Sequence, residues 1–146
     1  MNRRQFSLSA CAIALAPVAE AAAPSPLLTR IVEGGQRGAA NRARDPFRHP
    51  ARSLAFWGLA PGMTVVEIEP SGGYWTEILA PYLAQTGGRY VAAVSGDGAP
   101  FKARFADPAI WGRIEVVALN AQSGPLTPTG AADLVLTARN FHDWMW

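Results

Sequence analysis

The hydrophobic pattern of this chain changes period several times, and each change marks a new element. Around Leu27, Leu28, Ile31 and Val32 the apolar positions follow helical spacing until Gly34-Gly35 interrupts them. A second helical stretch is expected over residues 36–44. Asp45-Pro46 and His49-Pro50 then punctuate the chain. Pro50 suits the first turn of a helix through Leu54, Phe56 and Trp57, closed by Gly58 and Pro61-Gly62. The period then shortens. Thr64-Val-Val-Glu-Ile68 is a β-branched run and predicts a strand. After a turn through Pro70, Ser71, Gly72 and Gly73, residues 74–84 return to helical spacing, with Tyr74, Ile78, Leu79, Tyr82 and Leu83 on one side. Gly87-Gly88 leads into a second strand over residues 89–94. A helix over residues 100–111 and strands over residues 114–119 and 133–137 complete the pattern. A Gly/Pro/Thr loop, residues 123–130, separates the last two strands.

Strands that alternate with helices and are apolar throughout predict a parallel sheet covered on both faces, hence an α/β fold. The chain has 146 residues, which suits one such domain. Its 49 % hydrophobic and 16 % charged residues exclude a disordered chain.

Charge is distributed unevenly. Residues 22–52 carry Arg30, Arg37, Arg42, Arg44, Arg48 and Arg52 against only Glu33 and Asp45. The basic character therefore belongs to an N-terminal arm and reads as a solvated Arg-rich helix face. There is no basic, aromatic-lined sheet face, so no nucleic-acid partner is expected. Cys11 is the single cysteine and lies in the leader, which leaves no thiol chemistry in the mature chain. With His49 and His142 far apart, no metal site is expected.

The first residues resemble an export signal. Arg3-Arg4 precede a weakly apolar stretch, and Ala19-Glu-Ala21 offers a cleavage site. Arg3-Arg4-Gln5-Phe6 also fits a twin-arginine start, with an ordinary secretory signal as the alternative. The expected organisation is a signal at 1–21, a helical arm at 22–60 and an α/β domain at 61–146. The expected location is periplasmic, with no stable membrane anchor. The ending Trp144-Met-Trp146 leaves apolar side chains with nothing after them. It reads as a truncated product with an open strand edge prone to self-association.

Chemistry is expected at the turn after the first strand. In open α/β sheets ligands sit at the carboxyl ends of strands, against the amino end of the next helix. A dinucleotide fingerprint needs G-x-G-x-x-G, and Gly72-Gly73-Tyr-Trp-Thr does not supply it, so NAD is disfavoured. A hydrolase elbow is a second candidate, because Ser71, Asp133 and His142 follow in Ser–Asp–His order. Its first small residue, however, is replaced by Glu69. Asp97, three residues after the second strand, is either a ligand-binding acid or a helix N-cap.

Five blocks in order resemble a family of predicted exported bacterial methyltransferases. They are Arg44-Asp-Pro-Phe-Arg-His-Pro50, Leu54-Ala-Phe-Trp-Gly-Leu59, Pro61-Gly-Met-Thr-Val-Val-Glu67, Gly73-Tyr-Trp-Thr-Glu-Ile-Leu-Ala-Pro-Tyr-Leu83 and Arg139-Asn-Phe-His-Asp-Trp-Met145. The resemblance spans roughly residues 30–146. It implies the Rossmann-like class I sheet in the order 3-2-1-4, without the carboxyl-terminal strands, and S-adenosylmethionine as cofactor. It implies that Glu67 is the acid ending strand one, and that Ser71, Gly72 and Gly73 form the glycine loop beside the methionyl group. Glu69 and Ser71 stand where that loop usually has glycine, and Glu69 could pair with the cofactor ammonium. The resemblance makes Asp97 the candidate for the ribose hydroxyls. It places Asn140 and His142 opposite the transferable methyl, with His142 as the candidate base beside Arg139 or Asp143. The alternative for His142 is packing at the mouth of the sheet.

Overall fold

The computed structural model describes residues 23–138 and Asn140, arranged as seven helices and four strands among those residues. The arm begins with α1 (Pro26–Glu33). Ser25 caps it by accepting the Leu28 N–H at 3.2 Å, and Pro26 follows where its missing N–H costs nothing. Two four-residue helices follow, α2 (Ala39–Arg42) and α3 (Asp45–Arg48). The expected helix over residues 36–44 is therefore reduced to its middle four residues, because Gln36 and Arg37 turn their side chains back onto the Ile31 and Val32 carbonyls. His49, at φ 44°, links α3 to α4 (Pro50–Phe56).

The sheet is formed by β1 (Thr64–Ile68), β2 (Arg89–Val94), β3 (Ile114–Ala118) and β4 (Leu134–Thr137). All pairings are parallel, in the order β3-β2-β1-β4. Between β1 and β2 runs α5 (Thr76–Thr86), ended by Gly87 in the left-handed conformation at φ 73°. The expected single helix over residues 100–111 is two: α6 (Ala99–Arg104) and α7 (Pro108–Trp111). Asp107 accepts the Ala109 N–H and Pro108 follows it, so the sequence starts a new helix there.

All the larger helices pack on one face. Leu28 and Ile31 of α1, Leu54 of α4, Ile78, Leu79, Tyr82 and Leu83 of α5, Phe101 of α6 and Trp111 of α7 share one buried core with Val65, Tyr90 and Ala92 of the sheet. The arm is thus built into the same core as the sheet. On the opposite face Val66, Val91 and Ala93 are buried against Leu126 and Ala132 of the long β3–β4 connection. That face is covered by the expected Gly/Pro/Thr loop and carries no helix, and Val135 at the edge is 53 % exposed. No helix among the described residues is long and apolar enough to cross a membrane. The signal at 1–21 lies outside the described residues.

Candidate functional site

The turn after β1 takes an unusual backbone path. Glu69 has φ 51° and Ser71 φ 49°, both left-handed, a region that glycine enters freely and other residues enter at a cost of about 1 kcal/mol or more. Gly73 continues the path at φ 68°, and there a side chain is also sterically excluded. A Cβ at Gly73 would lie 2.3 Å from Cζ of Phe105. The two glycine positions expected to carry the turn are thus unequal, since Gly72 faces open space.

Three anchors hold this path. Glu69 N–H donates to the Ala93 carbonyl of β2 at 2.8 Å. Asn140 Nδ2, just after β4, donates to the Ile68 and Glu69 carbonyls at 3.1 and 2.8 Å. Asn41 Nδ2, from the arm, donates to the Gly72 carbonyl at 3.3 Å. Asn140 is therefore a clamp on the turn. His142, its expected companion, lies outside the described residues.

Glu67 points under α5. Its Oε2 accepts from the Tyr90 hydroxyl at 2.5 Å and from Thr76 Oγ1 at 3.1 Å. Burial pushes its carboxyl up to about 7, and the Tyr90 and Thr76 hydrogen bonds oppose the shift without cancelling it. Burial, with Glu67 beside it, raises the Tyr90 hydroxyl well above its ordinary range.

Two cavities flank the turn, and Glu69, Pro70 and Ser71 line both. One, of about 390 Å³, opens toward the end of β2 and is also lined by Ser95, Asp97, Gly98 and Phe101. Asp97 is exposed there, and its Oδ1 accepts the Ala99 N–H at 2.9 Å at the start of α6. The N-cap of α6 is Gly98, so Asp97 stands one residue before the cap, accepts from Ala99 across the turn and borders the cavity. Ser95 Oγ donates a short hydrogen bond to Glu69 Oε1, which draws that carboxylate toward β2.

The other cavity, of about 280 Å³, lies between the turn, Ala138, Asn140 and the arm. The arm contributes Arg44 and Arg48, and Glu67, Tyr74 and Trp75 line it too. A buried cluster fixes this wall. Arg37 grips Asp45 through two hydrogen bonds at 2.6 and 2.9 Å, and Asp45 Oδ1 also accepts from the Tyr74 hydroxyl at 2.6 Å. Burial pushes the Asp45 carboxyl up, but these hydrogen bonds and the Arg37 and Arg42 charges outweigh it and hold the group below its ordinary range. The Arg48 guanidinium stacks over the Tyr74 ring at 4.2 Å, with Arg44 at 5.4 Å.

Arg44, Arg48, Trp75 and Ser95 were not foreseen as site residues. The legible signal for the two arginines is their spacing of four, which puts both on one side of α3. The hydrolase arrangement is excluded. Asp133 Oδ2 accepts the Thr64 N–H at the start of β1, whereas Ser71 follows its end. The strand between them is roughly 13 Å long at about 3.3 Å per residue. Among the described residues no group of three or more His, Cys, Asp or Glu side chains is placed to hold a metal. Comparison with protein-family models, with curated proteins and with solved structures finds no match to this chain, so the geometry alone bears on function.

Proposed function

We propose that this protein is an exported methyltransferase of the class I, Rossmann-like type, using S-adenosylmethionine. The observation that carries the reading is the backbone of the turn. Glu69 and Ser71 stand where the resembled loop has glycine, and both adopt glycine's left-handed conformation. The path is held at an energetic cost, as is common where backbone shape serves a ligand.

In this reading the two cavities beside the turn would take the two halves of such a cofactor. Asp97 and the end of β2 would hold the nucleoside, with the carboxylate facing the ribose hydroxyls. The arm-side cavity would hold the amino-acid end and the methyl acceptor. When bound, S-adenosylmethionine supplies a methyl group activated on a sulfonium. The protein's part is alignment. Gly72 and Gly73 let backbone approach, Asn140 fixes the turn between the cavities, and His142 is the candidate for taking a proton from the acceptor. The acceptor is a small molecule or side chain of unknown identity.

A second reading has its own support. Glu69 bonded to Ser95 spans the region between the two cavities and suits a non-catalytic exported binding protein on the same scaffold. The two are separated by calorimetry followed by a turnover assay on the mature chain. Micromolar binding of S-adenosylmethionine with slow methyl loss supports the enzyme. No binding of S-adenosylmethionine supports the non-catalytic scaffold and contradicts the enzyme.

Export to the periplasm is the reading of Arg3-Arg4 and the Ala-rich leader. The twin-arginine route would let the chain leave the cytoplasm already folded around its cofactor. Changing Arg3-Arg4 to Lys-Lys should block export, and undiminished export would contradict that route. Self-association of two copies is supported by Val135, exposed on the edge strand β4.

A further inference from the structure

We propose that the N-terminal arm carries a peripheral membrane-binding surface, on which Phe47, Phe56 and Trp57 enter the headgroup layer of a bilayer and Arg42 and Arg52 meet anionic lipid phosphates. Among the described residues the exposed large apolar side chains are Phe47, Phe56, Trp57, Ile110 and Val135. The three aromatic ones all stand on the arm, between residues 47 and 57. Phe47 is 86 % exposed and Phe56 71 %, so neither ring is used to hold the fold. Apolar side chains scattered singly over a surface need no explanation, but three rings in one short stretch do.

Two helices present them. On α4 the buried Pro50 and Leu54 face the core, and Arg52 and Phe56, four apart, share the opposite side. Trp57 ends the same helix and is rooted edge-on against Trp75 at 5.1 Å. On α3 Asp45 turns to the buried Arg37, whereas Phe47 points to solvent. His49 alone links the two helices, and α4 is only about 10 Å long at 1.5 Å per residue. Phe47 and Phe56 are thus separated by little more than one short helix.

Charge decides the partner. Residues 34–66 hold five Arg and a single acid, Asp45. Asp45 is bonded to Arg37 and Tyr74. Glu77, which reaches the arm from α5, is buried and bonded to Gly38 and Arg104. Neither carboxylate is left to offset the exposed Arg42 and Arg52. A solvated Arg-rich face would be basic alone; this one is basic and aromatic. Guanidinium groups suit phosphate oxygens, and aromatic rings beside basic residues settle at the boundary between headgroups and acyl chains. An anionic bilayer answers both features at once. No helix among the described residues can span a membrane, so the contact is adsorption to its surface. None of these five side chains lines either cavity beside the turn, and the proposal is independent of the methyltransferase reading.

Co-sedimentation of the mature chain with lipid vesicles tests it. The vesicles are phosphatidylcholine alone, or phosphatidylcholine with roughly one-third phosphatidylglycerol. The expected result is binding to the anionic vesicles, weakened by salt and reduced about tenfold or more in both Phe47→Ser/Phe56→Ser and Arg42→Gln/Arg52→Gln. Ile110→Ser, an exposed apolar position on α7, should bind as wild type. All the substituted side chains are exposed, so thermal midpoints should stay close to wild type. Should a double variant fail to fold, Phe56→Ser and Arg52→Gln serve singly, with a loss of about threefold or more expected. Failure to bind anionic vesicles, equal binding to both vesicle types, or wild-type binding by either double variant would overturn the proposal. Binding of a single-stranded oligonucleotide in place of vesicles would overturn it too. So would a dimer that Phe47→Ser/Phe56→Ser dissolves in a chain that ignores lipid.

Discussion

At the scale of single residues, the molecule is defined by side chains and backbone held against their ordinary preferences. Ser71 is held left-handed without being glycine. Ser71→Gly should raise stability by about 0.5 kcal/mol, the relieved strain being partly offset by a more flexible unfolded chain. Ser71→Val should lower it by about 1 kcal/mol or more, because a β-branched side chain fits that region worst. Urea midpoints of the two variants test the order. Glu67 gives a second expectation, with a definite sign. Its folded pKa, about 7, lies above the ordinary carboxylate value. Between pH 4.5 and 7 the folded state therefore binds more protons than the unfolded state. This group's contribution is greatest at low pH and declines as pH rises through 7, by up to about 3 kcal/mol. Stability measured from pH 4.5 to 8 should show that decline relative to Glu67→Gln, whose side chain stays neutral; parallel curves would contradict it. Much of this was legible in the residues: Glu67 at the strand's end and Glu69 and Ser71 in place of glycine stand out in the sequence. That Glu67 turns inward to Tyr90 was not, because the partner comes from another strand.

At the scale of elements, the arm is the part least readable from pattern and most important to the cavity. Short helices such as α2 and α3 have too few turns to show a period, and Asp45-Pro46 reads as a break although it opens a helix. The strands were readable almost residue for residue, since each is a bounded apolar run. Their ends differ only where β3 and β4 meet the long connection. Besides its apolar face, the arm is docked by polar contacts: Gly38 N–H on Glu77, Asn41 on the Gly72 carbonyl and Tyr74 on Asp45, with Arg37 holding Asp45 in place. Breaking a buried ion pair by removing one partner typically costs about 3–5 kcal/mol. Arg37→Met should therefore destabilise by about 3 kcal/mol and loosen α2 and α3. Arg37→Lys should recover little, because the two-pronged grip on Asp45 is lost. Thermal unfolding gives the first number, and hydrogen exchange over residues 39–48 the second. A loss under 1 kcal/mol would mean that the arm is held by its apolar face alone.

At the scale of the whole molecule, one face of the sheet carries the helices and the other an extended connection, and the tips of β1, β2 and β4 converge on a single turn. The order β3-β2-β1-β4 leaves β1 between neighbours that run the same way, so its carboxyl end is where the neighbouring connections part. That geometry was foreseen from alternating strands and helices together with the resemblance. The two-cavity shape was not, because it depends on the arm folding back over the turn. The most direct measurement is amide chemical-shift mapping of the mature chain as S-adenosylhomocysteine is added. The expected result is saturable shifts centred on residues 69–73, extending to 95–98 on one side and 44–48 on the other. A well-folded spectrum that does not move, or that moves only elsewhere, would contradict the reading of this turn as a cofactor cradle.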